Sequence, residues 1–547
     1  MRSVLAVVHN VTAATRLLDV LPSLAADPRL RIVFTCTRSS AFHEGTVEFL
    51  KALGAAYSPW EEALRADFDL AIAASYGGNL HDLTMPLITI PHGMGYNKFL
   101  ETGNRKPETG NRKPETGNRK PVFGLSPEWL THEGEVVPSI IVLSHDEQVA
   151  RLRLACPEAV ARVLVAGDVT FDRLLASQVL RETYRRALGV HGGQRLVVVS
   201  STWGGRSLLS ADPDLPRRLA AELPVDEYRV VVALHPNIWH GHSPWQVRGW
   251  LWAARRSGVL LLPELEGWKG ALVAADLVIG DHGSVTYYAT ALGRPVVLAA
   301  APDDAVAEDS PIARMLATVS RLDRDKSLLN QIADAIDTHD PAALSELREL
   351  VSSSPGRAAA ILRAAVYDRL GLAEPTWEAE TTAVPVPAQA LTQPEACLVE
   401  CHWPHEARTE VVRYPAERLR ERDLQSRGAH LAVGTDEPRQ RWLQLADVVI
   451  DHRPDAHPAE WIRRTLAAMP GCVVAAAPDP RGRWFAGTAD LLLAFDTPPE
   501  TGPLCASAVY AWLSEQRPLS RLPAEFELLT GVARHTVRIT RLDYPEP

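Results

Sequence analysis

Short aliphatic runs alternate with amphipathic segments along roughly the first 300 residues of the chain. The aliphatic runs lie at residues 3–9, 31–37, 69–75, 86–92, 139–145 and 162–168, and again at 195–201, 228–236, 259–263, 276–282 and 295–301. The segments between them have the hydrophobic period of helices. Because strands that are apolar on both faces and separated by helices are typical of parallel sheets, the pattern predicts an α/β fold.

A break in the strand pattern near residues 176–193 divides these runs into two sets and predicts two Rossmann-like domains that face a cleft, a GT-B-like arrangement. Helical segments follow the second set, and we expect them to cross back and brace the first domain. A stretch rich in Pro, Ala and Thr then indicates a linker. The predicted boundaries are 1–175 and 190–340 for the two Rossmann-like domains, 341–372 for the bracing helices, 373–395 for the linker and 396–547 for a smaller C-terminal α/β domain.

The C-terminal region repeats part of the second domain's sequence character. Segments 446–454 and 471–480 are similar to 275–283 and 294–304, respectively. This similarity indicates a degenerate third α/β domain, and convergent strand composition is the alternative.

One strand-to-helix turn has the composition of an anion site. Asp281, His282, Gly283 and Ser284 follow a predicted buried strand and precede a helix. In a βαβ unit such a turn lies at the carboxyl edge of the sheet, where the new helix directs unpaired N–H groups at a bound group. Gly283 allows close backbone approach, and Ser284 supplies an N-cap or a hydroxyl donor. Phosphate is the expected occupant, and an ordinary capped turn is the alternative.

Histidines and hydroxyls end three other strands at the same predicted edge. The residues are His92 and Gly93 after one strand, Thr202 and Trp203 after another, and His235 after a third. A histidine in this position can act as a general base, or as a donor to phosphate when protonated. A capping or core-edge histidine is the alternative for either one alone. The presence of both, together with the phosphate-type turn, favours a site in the cleft.

In order and spacing these motifs resemble those of the CDP-glycerol glycerophosphotransferase-like family of teichoic-acid polymerases and primases, which have the two-domain GT-B fold. The matching segments are His92-Gly93, Val165–Leu174, Thr202-Trp203, His235-Pro236 and Ala275–Pro295. The resemblance covers about residues 1–370. Two departures are the turn sequence, which is Asp-His-Gly-Ser where the family has an Asp-x-Ser-Ser-like motif, and a repeat that follows His92.

The resemblance implies a transferase for cell-surface or secondary polymer synthesis that needs no metal or other cofactor. It implies that the second domain holds a CDP- or UDP-linked diphosphate donor and that the first binds a hydroxyl acceptor, with lipid-linked acceptors among the candidates. In that scheme His92 is the base, with Gly93 and Lys98 on the acceptor side. His235, Thr202, Trp203 and the turn 281–284 hold the pyrophosphate and the leaving group. A UDP-sugar 2-epimerase and a non-catalytic nucleotide-binding or scaffold protein are the alternatives.

The heptapeptide ETGNRKP occurs three times in tandem, at 101–107, 108–114 and 115–121. A copy contains no apolar residue, so it cannot bury a face, and we expect a mobile, slightly basic loop. Because the repeats follow His92, the loop should lie over the mouth of the cleft.

Composition limits the partners and the compartment. A formal net charge of -10 argues against nucleic-acid binding, which needs clustered Lys and Arg. The amino-terminal apolar run is too short for a signal peptide, and no run reaches bilayer-spanning length. Six scattered cysteines indicate a reducing compartment. We therefore expect a cytoplasmic protein, and weak peripheral contact with the inner face of the membrane stays open, as does the oligomeric state.

Cys397, Cys401, His402 and His405 are of metal-ligand type. Strand alternation, however, places both sulfurs on one face and His402 on the other, so a buried strand is predicted in preference to a zinc site.

Five tryptophans lie between Trp239 and Trp268. We expect Trp250 and Trp252 to anchor helix packing, and stacking on a ring or a lipid is the alternative.

Overall fold

The structure is a computed structural model that describes residues 1–37, 43–99, 120–265, 267–388, 390–391, 393–420 and 428–544. Within these ranges the first domain contains a six-stranded parallel sheet, as the aliphatic runs predict. Its strands are β1 (Arg2–Val8), β2 (Leu30–Cys36), β3 (Leu70–Ala73), β4 (Leu87–Thr89), β5 (Ile140–Leu143) and β6 (Val163–Val165), in the order β2-β1-β3-β4-β5-β6. The main helices are α1 (Val11–Val20), α2 (His43–Ala52), α3 (Asp146–Ala155) and α4 (Val169–Ala176).

The second domain is built around another parallel sheet. Its strands are β7 (Arg195–Ser201), β8 (Tyr228–Leu234), β9 (Leu260–Leu261), β10 (Leu277–Gly280) and β11 (Val296–Leu298), in the order β9-β8-β7-β10-β11. Its main helices are α5 (Arg181–Ala187), α6 (Leu215–Glu222), α7 (Pro236–His242), α8 (Pro244–Trp250), α9 (Trp252–Arg256), α10 (Trp268–Ala274), α11 (Ser284–Ala291), α12 (Pro311–Thr318) and α13 (Leu328–Asp337). Ser201 is opposite Leu234 and Val199 is opposite Ile279, so β7, β8 and β10 end at one edge.

Of the two helices predicted to brace the first domain, only α15 (Ala358–Leu370) packs against it. Helix α14 (Ser345–Glu349) packs in the second domain instead, where Leu347 is part of the core. Leu362, Val366 and Tyr367 of α15 are buried in the core of the first domain. Asp172 fixes the start of the helix, because its carboxylate accepts hydrogen bonds from the backbone N–H groups of Gly356 and Ala358 at 2.6 and 3.0 Å.

The C-terminal domain combines parallel and antiparallel strands in one sheet that closes on itself. Its strands are β12 (Ala396–His405), β13 (Arg408–Pro415), β14 (His430–Gly434), β15 (Val448–Ile450), β16 (Val474–Pro478), β17 (Trp484–Gly487), β18 (Leu492–Asp496), β19 (Glu525–Thr530) and β20 (Ala533–Leu542). Its helices are α16 (Gln440–Gln444), α17 (Pro458–Ala468) and α18 (Gly502–Ser514), and most residues of α18 are buried. The predicted α/β character is present in the parallel strands β14, β15 and β16, but the closure of the sheet was not predicted.

The sequence echo between the second and third domains corresponds to a shared local structure. Asp281 Oδ1 accepts from the backbone N–H of Gly283 at 2.9 Å, and Asp451 Oδ1 accepts from that of Arg453 at 3.0 Å. The two turns follow equivalent parallel strands, β10 and β15. In the third domain, Arg453 occupies the position that Gly283 has in the second domain.

The strand prediction for Cys397 and Cys401 is confirmed. Both thiols are buried, whereas His402 is exposed, with Nε2 3.3 Å from Glu410 Oε2. Among the described residues, no group of three or more His, Cys, Asp or Glu side chains has an arrangement suited to a metal ion. None of the described helices is long and apolar enough to cross a bilayer.

The packing role expected of two tryptophans was wrong. Trp239 is buried, but Trp250 and Trp252 are 47% and 56% exposed. Proline starts α8 and another short helix follows it, so these side chains lie on the outside of a helical corner rather than within the core.

Candidate active site

The first domain contacts the second directly at the predicted anion turn. The backbone N–H of Met94, in the loop after β4, donates to Ser284 Oγ at 3.2 Å. A Cβ atom on Gly93 would lie 2.6 Å from the same oxygen. Nearby, the backbone N–H of Ala307 donates to the carbonyl of Asn97 at 2.8 Å. Gly93 is therefore required by close approach of the two domains.

Lys98 lies at the centre of the candidate site. Its Nζ is 3.4 Å from Thr202 Oγ1, so the side chain spans the cleft from the first domain to the second. Burial, with a smaller contribution from the Lys98 charge, lowers the pKa of His92 to about 4 and the pKa values of His235 and His282 to about 3. All three imidazoles are thus neutral at physiological pH beside a cationic lysine.

The backbone defines the tautomer of His235. Its Nδ1 accepts from the backbone N–H of Asn237 at 3.1 Å and caps helix α7. Because an accepting ring nitrogen carries no proton, the neutral imidazole has its hydrogen on Nε2. The Trp203 ring lies 6.3 Å from the His235 ring. His235 is therefore a neutral N–H donor in this structure, not the protonated donor that the sequence suggested.

Asp281 organises the turn from within. Its Oδ2 accepts from the backbone N–H groups of Thr202 and Leu208, both at 2.9 Å, in addition to the bond between Oδ1 and Gly283. Burial raises the pKa of this carboxyl group. A Cβ on Gly283 would lie 3.0 Å from Asp281 Oδ1. These contacts assign Asp281 a positioning role: it holds the loop after β7 against the turn.

The start of helix α11 keeps donors available. Its N-cap is Gly283, which has no side chain to bond the first N–H groups, and Ser284 Oγ bonds Met94 instead. His282 is only 5% exposed, and its buried Nδ1 has no partner among the described residues. A buried polar atom without a partner is costly, and in the tautomer that carries its hydrogen on Nδ1 the ring can donate to a phosphate oxygen, which would remove that cost. The turn therefore has features of an anion-binding site.

An aromatic cluster lies next to His92. The Phe123 ring is 5.4 Å from the His92 ring and 4.6 Å from the Trp129 ring, in edge-on geometries. Tyr76 completes the cluster, 6.1 Å from Phe123. Sequence reasoning missed it because its members are scattered on both sides of the repeats and no spacing connects them.

Buried polar contacts also join the two domains. Arg16 of α1 pairs with Asp168 at 3.0 Å, and the Tyr288 hydroxyl of α11 donates to the same carboxylate at 2.8 Å. Arg16 Nε donates to the carbonyl of Pro91 at 3.0 Å, which fixes the backbone immediately before His92. Arg16 was not predicted, because an arginine in an amphipathic helix gives no signal of an interdomain role.

A second buried contact lies close to the first. Lys269 Nζ is 2.6 Å from Asp19 Oδ1, and the Thr170 hydroxyl donates to Asp19 Oδ2 at 2.6 Å. Burial raises the pKa of Asp19, but Lys269 and Arg173 outweigh it and hold that pKa below its usual value. Asp168 and Asp172 belong to the segment Val165–Leu174, so this segment organises the junction of the domains.

The residues that flank the repeats lie beside the site. Most of the tandem repeat lies outside the described residues, so its predicted mobility stays a prediction. Phe99 and Val122, which flank it, pair as an isolated antiparallel bridge, and the backbone N–H of Phe123 donates to the carbonyl of Lys98 at 3.0 Å. The described ends of the repeat segment therefore meet next to Lys98.

Solved structures similar to this chain include members of the family that the motifs resemble. A variant of the wall teichoic acid polymerase TagF soaked with CDPG is 12% identical, with a TM-score of 0.44, over 68% of this chain and 89% of that one. The UDP-GlcNAc 2-epimerase from Neisseria meningitidis bound to UDP-GlcNAc is 14% identical, with a TM-score of 0.39, over 67% and 100%. The S. aureus MnaA structure with UDP is 13% identical, with a TM-score of 0.42, over 68% and 98%.

These values are too low to transfer a reaction or a substrate to this chain. No protein-family model matches it, and no curated protein matches it significantly. The GT-B-like arrangement of two parallel-sheet domains facing a cleft is present in the chain's own structure.

Proposed function

We propose that this protein is a transferase that moves a glycosyl or polyol-phosphate group from a nucleotide-diphosphate donor to a hydroxyl acceptor. The observation that carries the proposal is the convergence, in one cleft, of Lys98, three neutral histidines and an uncapped helix start. Cationic and N–H donor groups without a competing free carboxylate suit a diphosphate.

The proposed reaction divides the work between the two domains. His92 takes the proton of the acceptor hydroxyl as its oxygen forms a bond to the transferred group. The bond from that group to the nucleotide phosphate breaks, and negative charge accumulates on the departing phosphate. His235 Nε2–H, Lys98 and the first N–H groups of α11 stabilise that charge. No metal is needed for any of these steps.

One observation favours transfer over the epimerase alternative. An epimerase of this fold should carry more carboxylates in the cleft to move protons on the sugar. Asp281 is the carboxylate at the turn, and both of its oxygens bond backbone N–H groups. Because both oxygens of Asp281 are used to hold the backbone, we assign it no proton transfer, which supports a group-transfer site in which His92 is the base.

Cell-surface or secondary polymers are the proposed destination of the transferred group. The acceptor would then be a growing chain, with a lipid-linked one as a candidate. Phe123 and Trp129, which are half-buried beside His92 and backed by the buried Tyr76, give the acceptor side an aromatic surface suited to a sugar or polyol face.

The experiment is turnover of CDP-glycerol and UDP-sugars by the purified chain, with products identified by mass spectrometry. We expect His92→Ala to lower turnover by about 10²- to 10⁴-fold with donor affinity nearly unchanged. His235→Ala should weaken donor affinity as well. His191→Ala, at an exposed histidine, is the matched control.

Three results would contradict the proposal. Binding of donor without any product would indicate a non-catalytic binder. Conversion of a UDP-sugar to its 2-epimer would indicate the epimerase. Equal losses of donor affinity in the two histidine variants would remove the division of labour between His92 and His235.

A further inference from the structure

Two residues of helix α11, one helical turn apart, are bonded towards opposite ends of the segment 91–94, which carries the candidate base. Ser284 Oγ accepts from the backbone N–H of Met94 at 3.2 Å, at the far end of the segment. Tyr288, four residues after Ser284, lies on the same side of the helix. Its hydroxyl donates to Asp168 Oδ2 at 2.8 Å and reaches the near end of the segment through that carboxylate.

Asp168 and Arg16 complete the link to the near end of the segment. Arg16 Nη2 is 3.0 Å from Asp168 Oδ2, and Arg16 Nε donates to the carbonyl of Pro91 at 3.0 Å. Tyr288, Asp168 and Arg16 are 2%, 0% and 6% exposed, so water does not compete for these bonds. Burial and the neighbouring Asp168 charge raise the pKa of Tyr288 well above its ordinary value, so the phenol keeps its proton and is the donor.

We propose that Tyr288 and Arg16 are positioning residues that place His92, so that the candidate base is held by the same helix whose first turn faces the donor phosphates. The proposal rests on the proposed function for the role of His92 as a base and for the donor site at the start of α11. The placement itself rests only on the hydrogen bonds at the two ends of the segment.

This arrangement makes the place of His92 depend on contact between the domains. The segment belongs to the first domain, whereas Ser284 and Tyr288 belong to the second, so both of its ends are held only while α11 is seated against it. Misplacement of a reacting group by about 1 Å can lower a rate on the order of 10²-fold. The link therefore acts on the rate of proton transfer and not on the affinity for the donor.

Tyr288→Phe removes one hydroxyl of the link, and Tyr287→Phe is its matched control. Tyr287 is also buried in α11, but its hydroxyl donates to the carbonyl of Leu347 at 2.8 Å, within the core of the second domain. Both variants lose one buried hydrogen bond from the same helix, so a thermal melt should change similarly in both. Arg16→Lys is a second link variant, which keeps the charge beside Asp168 and removes the Nε bond.

The first measurement is the pKa of His92, which needs no turnover. It is followed by NMR of histidines labelled with ¹³C at Cε1 and assigned with His92→Gln. Burial is the main cause that lowers this pKa to about 4, with smaller contributions from the nearby charges of His9, Lys98 and Arg16. Loosening of the segment should admit water, so the pKa should rise towards its ordinary value of about 6.5 in both link variants and stay near 4 in the control.

The second measurement is transfer from CDP-glycerol or from a UDP-sugar, together with CDP affinity by isothermal titration. We expect kcat to fall by about 10- to 100-fold in Tyr288→Phe, with CDP affinity within about twofold of the wild type. In the control, kcat should stay within about threefold of the wild type, because the Tyr287 hydroxyl bonds only its own domain.

An unchanged pKa of His92 in the link variants, or an equal rise in the control, would overturn the proposal. A loss of CDP affinity as large as the loss of kcat would also overturn it, because Tyr288 would then act through the donor site. If the wild-type chain gives no product from any donor, the proposed function fails, and the NMR comparison still decides whether the link places His92.

Discussion

Replacement of Lys98 by methionine tests the electrostatic centre of the cleft. The substitution keeps most of the side-chain length and removes the charge that faces Thr202 at 3.4 Å. A hydrogen bond to a charged group contributes about 1.5–3 kcal/mol, so we expect CDP or UDP to bind about 10- to 150-fold more weakly. Lys326→Met, at an exposed lysine paired with Asp323, makes the same change in net charge and is the control.

Isothermal titration with CDP, UDP and the parent nucleosides separates phosphate contacts from base contacts. Because the Lys98 charge should act on the phosphates, its loss should leave nucleoside binding nearly unchanged. The same charge helps to lower the pKa values of His92, His235 and His282, so these should rise in the Lys98→Met variant. Binding of CDP and UDP within twofold of the unsubstituted chain would refute the reasoning, as would an equal loss for the nucleosides.

Three further predictions address the domain contact, the buried histidines and the repeats. Gly93→Ala should push the two domains apart, because the new Cβ would lie 2.6 Å from Ser284 Oγ. We expect the free energy of unfolding in urea to fall by about 1–3 kcal/mol. Gly249→Ala is the control, because its Cβ would enter open space and should not lower that free energy. Histidines titrate near pH 6.5 when unfolded, but burial lowers the pKa values of His92 and His235 to about 4 and 3. The unfolded chain then binds more protons, so the free energy of unfolding should be highest above pH 6.5 and fall as the pH drops towards 4; a flat profile would contradict this. Deletion of one or two ETGNRKP copies should change the free energy of unfolding by less than about 1 kcal/mol. The deletion should alter the acceptor kinetics, and this effect should shrink as the salt concentration rises. A much lower melting temperature would instead show that the repeats are packed structure.

The strands of the first two domains were predictable because their signal is local. Each run of aliphatic residues needs only its own neighbours to indicate a buried parallel strand, and the structure places a strand in every predicted run. The bracing role of α15 was also predictable from its position in the chain. Closure of the C-terminal sheet around the buried helix α18 was not, because it depends on pairing between β12 and β14, which is a long-range contact.

The site was predictable in its strand ends but not in its cross-domain contacts. His92, His235 and the turn 281–284 follow strands that share an edge, which is a property of topology. The bond from Tyr288 to Asp168, and the pairing of Lys269 with Asp19, depend on how two separate domains meet. Sequence patterns within one domain carry no information about that geometry. Similarly, the tautomer of His235 depends on one backbone bond to Asn237.

A crystal structure of the full chain with bound CDP or UDP tests the central claim most directly. The account predicts that the diphosphate lies at the start of helix α11, within hydrogen-bond distance of His235 Nε2 and Lys98 Nζ. Phosphates at the opposite, amino-terminal edge of the second sheet, or on the C-terminal domain, would contradict it.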